Sequence, residues 1–412
     1  MRYKPRPLKK LFAFLSLFAL VLCSASGERI SPLAPKPNWS DLDRYQQTIT
    51  RSDFQFLLEE VYAPNGAWKP FIEIDETSAS IQTSVGGKPY VLHFAPEAKA
   101  SKPVPRFWRG KSQMAGRPSN KPLAGVRIAI DPGHIGGSWA KIEERWFRIG
   151  NSKPVTEGDM TLLVAKLLSE RLRELGAKVY LTRTKPSPVT PLRPDRLKKE
   201  AVESLRDQGA SVTEANVKSE SERLFYRVGE IRRRAELINK KIKPDLVICL
   251  HFNAEAWGNP DRPSLTDKNH LHFLITGCFS GRELTYDDQR FNMLKKLLSR
   301  AYREELAVTE AIASSMARAT ALEPYVYQGS NAVKVGSSPY VWARNLLANR
   351  LFECPVVYVE PYVMNSHEVF ARVQEGDYKG ERAVAGRMRQ SIFREYANSV
   401  ADGLVKYYSS NP

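Results

Sequence analysis

Val126-Arg127-Ile128-Ala129-Ile130-Asp131-Pro132-Gly133-His134 sets a short apolar run against a turn and a histidine. Val126–Ile130 has the length of a strand and is too short for a helix. Asp-Pro-Gly then stops it, since proline fixes φ and removes an N–H while glycine opens turn geometry. The same arrangement recurs twice. Leu246–Leu250 runs into His251, and Pro355–Val359 runs into Glu360. Continuous apolar runs of this kind are the pattern of strands buried on both faces, as in a parallel sheet.

The segments between them are helical or strand-like in turn. Met160 to Leu175 places Leu163, Leu167, Leu168, Leu172 and Leu175 at helical spacing, and Gly176 closes it in the C′ position. Strands are expected at Lys178–Thr182 and Leu271–Ile275, with helices across 287–320, at 340–350 and over 381–408. Strands alternating with helices predict an α/β fold, a mainly parallel sheet with helices on both faces. The carboxyl ends of parallel strands face one crevice, where ligands bind. His134, His251 and Glu360 are therefore expected to meet, although they are far apart in sequence. Glu157 is the candidate third ligand for a metal, at the start of the amphipathic helix with Thr156 as expected N-cap. A first-turn glutamate complementing the helix dipole is the plainer reading of the same residue.

The chain has 412 residues, 62 Lys+Arg against 45 Asp+Glu and a formal charge of +17. Its 42% hydrophobic content supports a sizeable core and excludes disorder along the whole chain. Arg2, Lys4, Arg6, Lys9 and Lys10 precede the apolar run Leu11–Leu22 and the small residues Ser24-Ala25-Ser26-Gly27, the pattern of a secretory signal peptide. Cys23 is a candidate lipidation site. Loss of those five cations leaves +12 on the mature chain, which suits an anionic envelope surface better than nucleic acid. No apolar run reaches the roughly 20 residues of a membrane span, so no stable span is expected after cleavage. Export permits disulfides, but Cys249, Cys278 and Cys354 are odd in number and any bridge is optional.

The expected organisation is a signal peptide over 1–26, a tether over 27–40, a small α+β N-terminal unit over 41–95, a linker over 96–123 and a catalytic domain over 124–412. Insertions are expected at about 185–230 and 255–340. The Arg232-Arg233-Arg234 run reads as a solvated helix face, or as a contact for anionic polymer. His270 and His272 read as lying on opposite sides of their strand with structural roles, and His367 as solvent-facing. Asp131 is read as a turn residue or as a partner of a ligating His134, and Asn253 as orienting substrate or capping its strand.

Ile128–His134 resembles the first-ligand strand of the zinc-dependent N-acetylmuramoyl-L-alanine amidases of the amidase-3 type. Thr156-Glu157-Gly158-Asp159-Met160-Thr161-Leu162, Asp245–Ala254 and Val356–Glu360 with Asn365 and Glu368 resemble three further motifs of that family, in its order. The resemblance implies Zn²⁺ held by His134, Glu157 and His251, with Glu360 as catalytic base. It implies an exported enzyme, periplasmic or secreted, that cuts peptidoglycan between N-acetylmuramic acid and L-Ala. A regulatory protein partner is a further expectation. The alternatives are a non-catalytic envelope-binding protein that kept the fold and a zinc hydrolase of a different cell-wall amide. Three positions depart from the family pattern. Ile135 stands where glycine is common, Phe252 where a small residue is, and Pro361-Tyr362 where glycine and an aromatic are. Some relatives carry an occluding helix, and Phe291–Leu306 or Thr309–Ala321 are candidates for one.

Overall fold

The computed structural model describes residues 27–114 and 116–410. The expected signal peptide, with Cys23, lies outside the described residues. The N-terminal unit holds helix α1 (Arg51–Leu57) and three antiparallel strands, β1 (Ile72–Ile74), β2 (Ser78–Ile81) and β3 (Tyr90–His93). Thr50 caps α1 by accepting from the Asp53 N–H, one of the orphan donors of a helix start.

The main sheet begins with β4 (Arg127–Pro132), followed by helix α2 (Glu157–Glu174) and β5 (Lys178–Leu181). Gly176 follows α2 with φ +98°, which turns the chain back into the sheet. Helices α3 (Lys198–Asp207), α4 (Glu214–Arg223) and α5 (Glu230–Glu236) lead to β6 (Leu246–Leu250). Next come β7 (His270–Thr276), helices α6 (Asp287–Leu298) and α7 (Ala301–Thr320), β8 (Val341–Arg344), β9 (Val356–Pro361) and the last helix α8 (Ile392–Ser409). Strands β9, β6, β4 and β5 lie side by side and parallel. Strand β7 joins β9 antiparallel, and β8 joins β7 parallel to it. This is the expected α/β fold with a mainly parallel sheet, extended on one side by two reversed strands.

The stretch 255–340 thus supplies β7, which lies inside the sheet. Helix α7 packs beneath the sheet, where Val308, Ile312 and Met316 share a core with Phe273, Val357 and α8. That face is opposite to the one carrying Tyr358, so α7 occludes nothing. Two expected helices start as strands. Val341–Arg344 pairs with β7, which suits its β-branched and aromatic residues. Glu381–Val384 pairs with Arg387–Gln390. Its two-residue turn has φ 49° at Ala385 and 76° at Gly386, the left-handed pair that matches hairpin twist.

One continuous apolar core joins the N-terminal unit to the sheet, bringing Phe54, Leu58 and Leu92 into the same cluster as Leu284, Phe291 and Leu294. The junction is also hydrogen-bonded, with Cys278 N donating to Val61 O at 2.7 Å. The segment expected as a tether is docked, its Arg29 and Ser31 amides bonded to Asp287 and Asp288. All three described cysteines are free and buried.

Candidate metal centre and active site

The expected Asp-Pro-Gly turn is instead the end of strand β4, which runs on through Asp131 and Pro132. His134 follows Gly133 with φ 59°, a left-handed backbone that a non-glycine residue adopts only when its surroundings hold it there. Here they do. Arg234 donates to Pro132 O and His134 O, each at 2.8 Å. Arg183 donates to Gly133 O at 3.2 Å, and Thr161 Oγ1 to the same oxygen at 2.7 Å. Gly133 must be glycine because of what lies beside it. A Cβ there would lie 2.2 Å from His251 Cε1, so any side chain would displace that imidazole.

His251 lies just past the end of β6 and stacks on Tyr358, ring centroids 4.2 Å apart. Glu157 opens α2 between the two histidines. Its Oε2 is 3.3 Å from His134 Nε2 and its Oε1 is 3.2 Å from His251 Nδ1. One ligand atom from each residue falls within 4.8 Å of the other two. A tetrahedral zinc site with bonds of about 2.0–2.1 Å spaces its donors about 3.4 Å apart, and the Glu157 carboxylate comes that close to each histidine, through a different oxygen in each case. Burial works against charge on Glu157, but His134, His251 and Arg145 hold its carboxyl well below the usual range. An N, O, N donor set with an anionic member fits a divalent cation.

Glu360 ends β9 directly opposite His272 of the neighbouring strand. Its carboxylate makes no hydrogen bond or ion pair among the described residues. Desolvation pushes it up and the Glu157 carboxylate adds to this, so its acid form persists to about 7 despite His251, Arg145 and Arg344.

Several neighbours were misread or missed in the sequence. Thr156 does not cap α2; its hydroxyl donates to Asp159 Oδ2 at 2.7 Å. Asp131 faces Thr182 and Arg234. The carboxylate beside His134 is Glu143, whose Oε2 lies 3.6 Å from Nδ1 and accepts from Ile135 N at 2.7 Å. Arg234 is 2% exposed, so it belongs to no solvated face. His270 and His272 share one side of β7, as residues two apart on a strand must, and Asn253 Nδ2 lies 3.1 and 3.3 Å from their Nδ1 atoms. Phe252 packs in the core against Tyr362, Phe393 and Tyr396. Ile135 sits in an apolar cluster with Leu197, Ala201 and Phe225, so the inserted helices seat the His134 loop. His367 is exposed, as expected, at the start of a short helix.

Arg145 had no signal in the sequence. It precedes a short ladder in which Trp146–Phe147 pairs with Val155–Thr156, and its Nε lies 3.5 Å from Glu157 Oε2. That is its one ion pair among the described residues, where Nε also has no hydrogen-bond acceptor. Beyond it opens a cleft of about 620 Å³ lined by Lys141, Arg145, Trp146, Glu255 and Trp257. Aromatic faces and polar groups together suit a glycan-bearing peptide.

Residues 128–392 match the family model described as N-acetylmuramoyl-L-alanine amidase. The chain belongs to that family. It is a hydrolase of peptidoglycan that cuts the amide between N-acetylmuramic acid and L-Ala of the stem peptide. No curated protein matches the amidase by sequence. Among solved structures it is similar to Ami1 of Mycobacterium abscessus, at 17% identity and TM-score 0.39, covering 70% of this chain and 100% of that one. It is similar also to AmiC2 of Nostoc punctiforme, at 14% identity and TM-score 0.37, covering 70% and 99%. A third is the CwlD amidase of Clostridioides difficile, solved in complex with the GerS lipoprotein, at 14% identity and TM-score 0.38, covering 69% and 98%. No helix among the described residues of the amidase is long and apolar enough to cross a membrane.

Proposed function

We propose that this amidase is an exported zinc enzyme in which His134, Glu157 and His251 hold the metal and Glu360 is the general base. The observation that carries this reading is the convergence of three ligand atoms within 4.8 Å beside a carboxylate with no partner of its own. Zinc in that position supplies an activated water and polarises the scissile carbonyl.

The chain's own groups do the rest. Glu360 takes the proton of the attacking water and returns it to the leaving amine nitrogen of L-Ala. Its desolvated site favours that exchange near neutral pH, since an efficient base has a pKa close to the working pH. Arg145 places a fixed positive charge where the carbonyl oxygen gains negative charge, in a site partly shielded from water. Glu143 orients the His134 ring, the usual work of a carboxylate behind a ligating histidine. The Trp146 and Trp257 cleft holds the substrate on the Arg145 side.

Export follows from the leader-like N-terminus and from a substrate in the cell wall. A protein partner is part of the proposal, since a similar amidase was solved with the GerS lipoprotein. The test is mass spectrometry of purified sacculi digested by the zinc-loaded protein, with Glu360→Gln in parallel. Free peptides beginning at L-Ala and intact glycan chains, absent with the variant, are expected. Equal release by the variant would remove Glu360 from the mechanism.

A further inference from the structure

The edge of the sheet opposite the metal centre holds a second cavity, of about 270 Å³. Its wall includes Lys243 and Glu353, which stand just before β6 and β9, the strands whose far ends carry His251 and Glu360. Five residues of strand at about 3.3 Å each put roughly 17 Å between the two sites. The cavity also takes residues from the N-terminal unit and the segment that joins it to the sheet, so it exists only in the assembled chain.

Its charge is one-sided. Six cations line it against a single acid, Glu353. Lys295 neutralises that acid at 2.7 Å, and Lys296 is turned to Glu305 at 2.6 Å. Arg44, Arg106, Lys243 and Arg350 remain with no carboxylate in ion-pair reach among the described residues. Two of them are held in place by rings. The Arg106 guanidinium lies 3.8 Å from the Trp108 ring centroid, and that of Arg44 lies 4.9 Å from the Tyr45 ring centroid. Arg350 is buried, which pushes its guanidinium down to about 10. Two wall residues also carry a buried donor without an acceptor, Trp108 Nε1 and Arg350 Nε. Unmade hydrogen bonds of this kind are costly and rare in native proteins.

We propose that this cavity binds a phosphorylated ligand, a phosphate mono- or diester on a small polar body, at a site separate from the amidase centre. The wall offers donors and positive charge from several directions, and its one carboxylate, Glu353, is already paired with Lys295. A carboxylate would engage one guanidinium fork. A phosphate has acceptor oxygens pointing several ways, and as a monoester it also carries more charge, which suits cations spread round a cavity. The volume exceeds that of a phosphate ion and leaves room for a body of sugar or glycerol size. A soluble sugar phosphate and a phospholipid headgroup share this chemistry.

The experiment titrates the purified protein with inorganic pyrophosphate at constant ionic strength by calorimetry. In parallel, phosphatidylcholine vesicles with and without phosphatidylglycerol are sedimented with it. Arg106 and Lys243 are exposed, so the double variant Arg106→Gln, Lys243→Gln is expected to keep the melting temperature of the ligand-free protein. One-to-one pyrophosphate binding, weakened at least about tenfold in the variant, supports the proposal for a soluble ligand. Phosphatidylglycerol-dependent sedimentation lost in the variant supports it for a headgroup. No binding in either arm, or binding the variant leaves unchanged, overturns it.

Discussion

Glu360 is the carboxylate of the site left without a partner, and its substitution separates chemistry from metal binding. Glu360→Gln keeps the shape and loses the base, so kcat should fall about 10²–10⁴-fold while zinc content stays at the wild-type level. Because desolvation raises its carboxyl toward about 7, the base form is lost as pH falls. Glu360 should therefore govern the acid limb of kcat/KM, at a pH lowered by the charge of the bound zinc, and that limb should vanish from the residual rate of Glu360→Gln. Glu143→Ala leaves His134 without its carboxylate and should weaken zinc affinity about 10–100-fold, measured by competition with a chelator. Of these residues the sequence revealed those that end buried strands or open the long helix. Glu143 and Arg145 sit in an irregular loop, where no period says which side chain turns inward.

At the scale of elements, the inserted helices act on the site through α5. Arg234 pairs with Glu230 on its own helix and reaches from α5 to Asp131 and the carbonyls of Pro132 and His134, and its side chain is nearly sealed from solvent. Replacing one partner of such a network leaves buried charge uncompensated, at a cost of about 3–5 kcal/mol. Arg234→Met should lower stability by that order and lower zinc affinity as well. Arg234→Lys should recover stability in part but not affinity, because an ammonium has no planar fork to span two carbonyls. Thermal melts and zinc titration of both variants check this. The triple-arginine run was visible in the sequence, yet composition cannot tell a solvated face from a helix turned toward a sheet edge. The stretches 340–350 and 381–408 were read as helices for a related reason. Strand pairing with β7, and a hairpin set by left-handed residues at Ala385 and Gly386, are tertiary and turn features that local hydrophobic spacing does not encode.

At the scale of the whole molecule, the sequence showed the parallel half of the sheet because three of its four strands, β4, β6 and β9, are built on continuous apolar runs. Of the reversed half, the strand at Leu271–Ile275 was read but its direction was not, and β8 was read as a helix, since both arrive within a long polar excursion. The N-terminal unit shares its core with α6, so the described chain should melt in one cooperative transition. Removing residues 27–95 uncovers Leu284, Phe291 and Leu294 and should yield an aggregating protein; a soluble, folded remainder with zinc bound would show that the shared core is dispensable. The account stands or falls on the metal. Mass-spectrometric metal analysis of the dialysed protein, beside His251→Ala, Glu157→Ala and Glu360→Gln, tests it most directly. One zinc per chain is expected in the wild type and in Glu360→Gln, with none retained by the other two. Zinc retained without Glu157 and His251, or lost with Glu360 alone, would contradict the assignment of ligands and base.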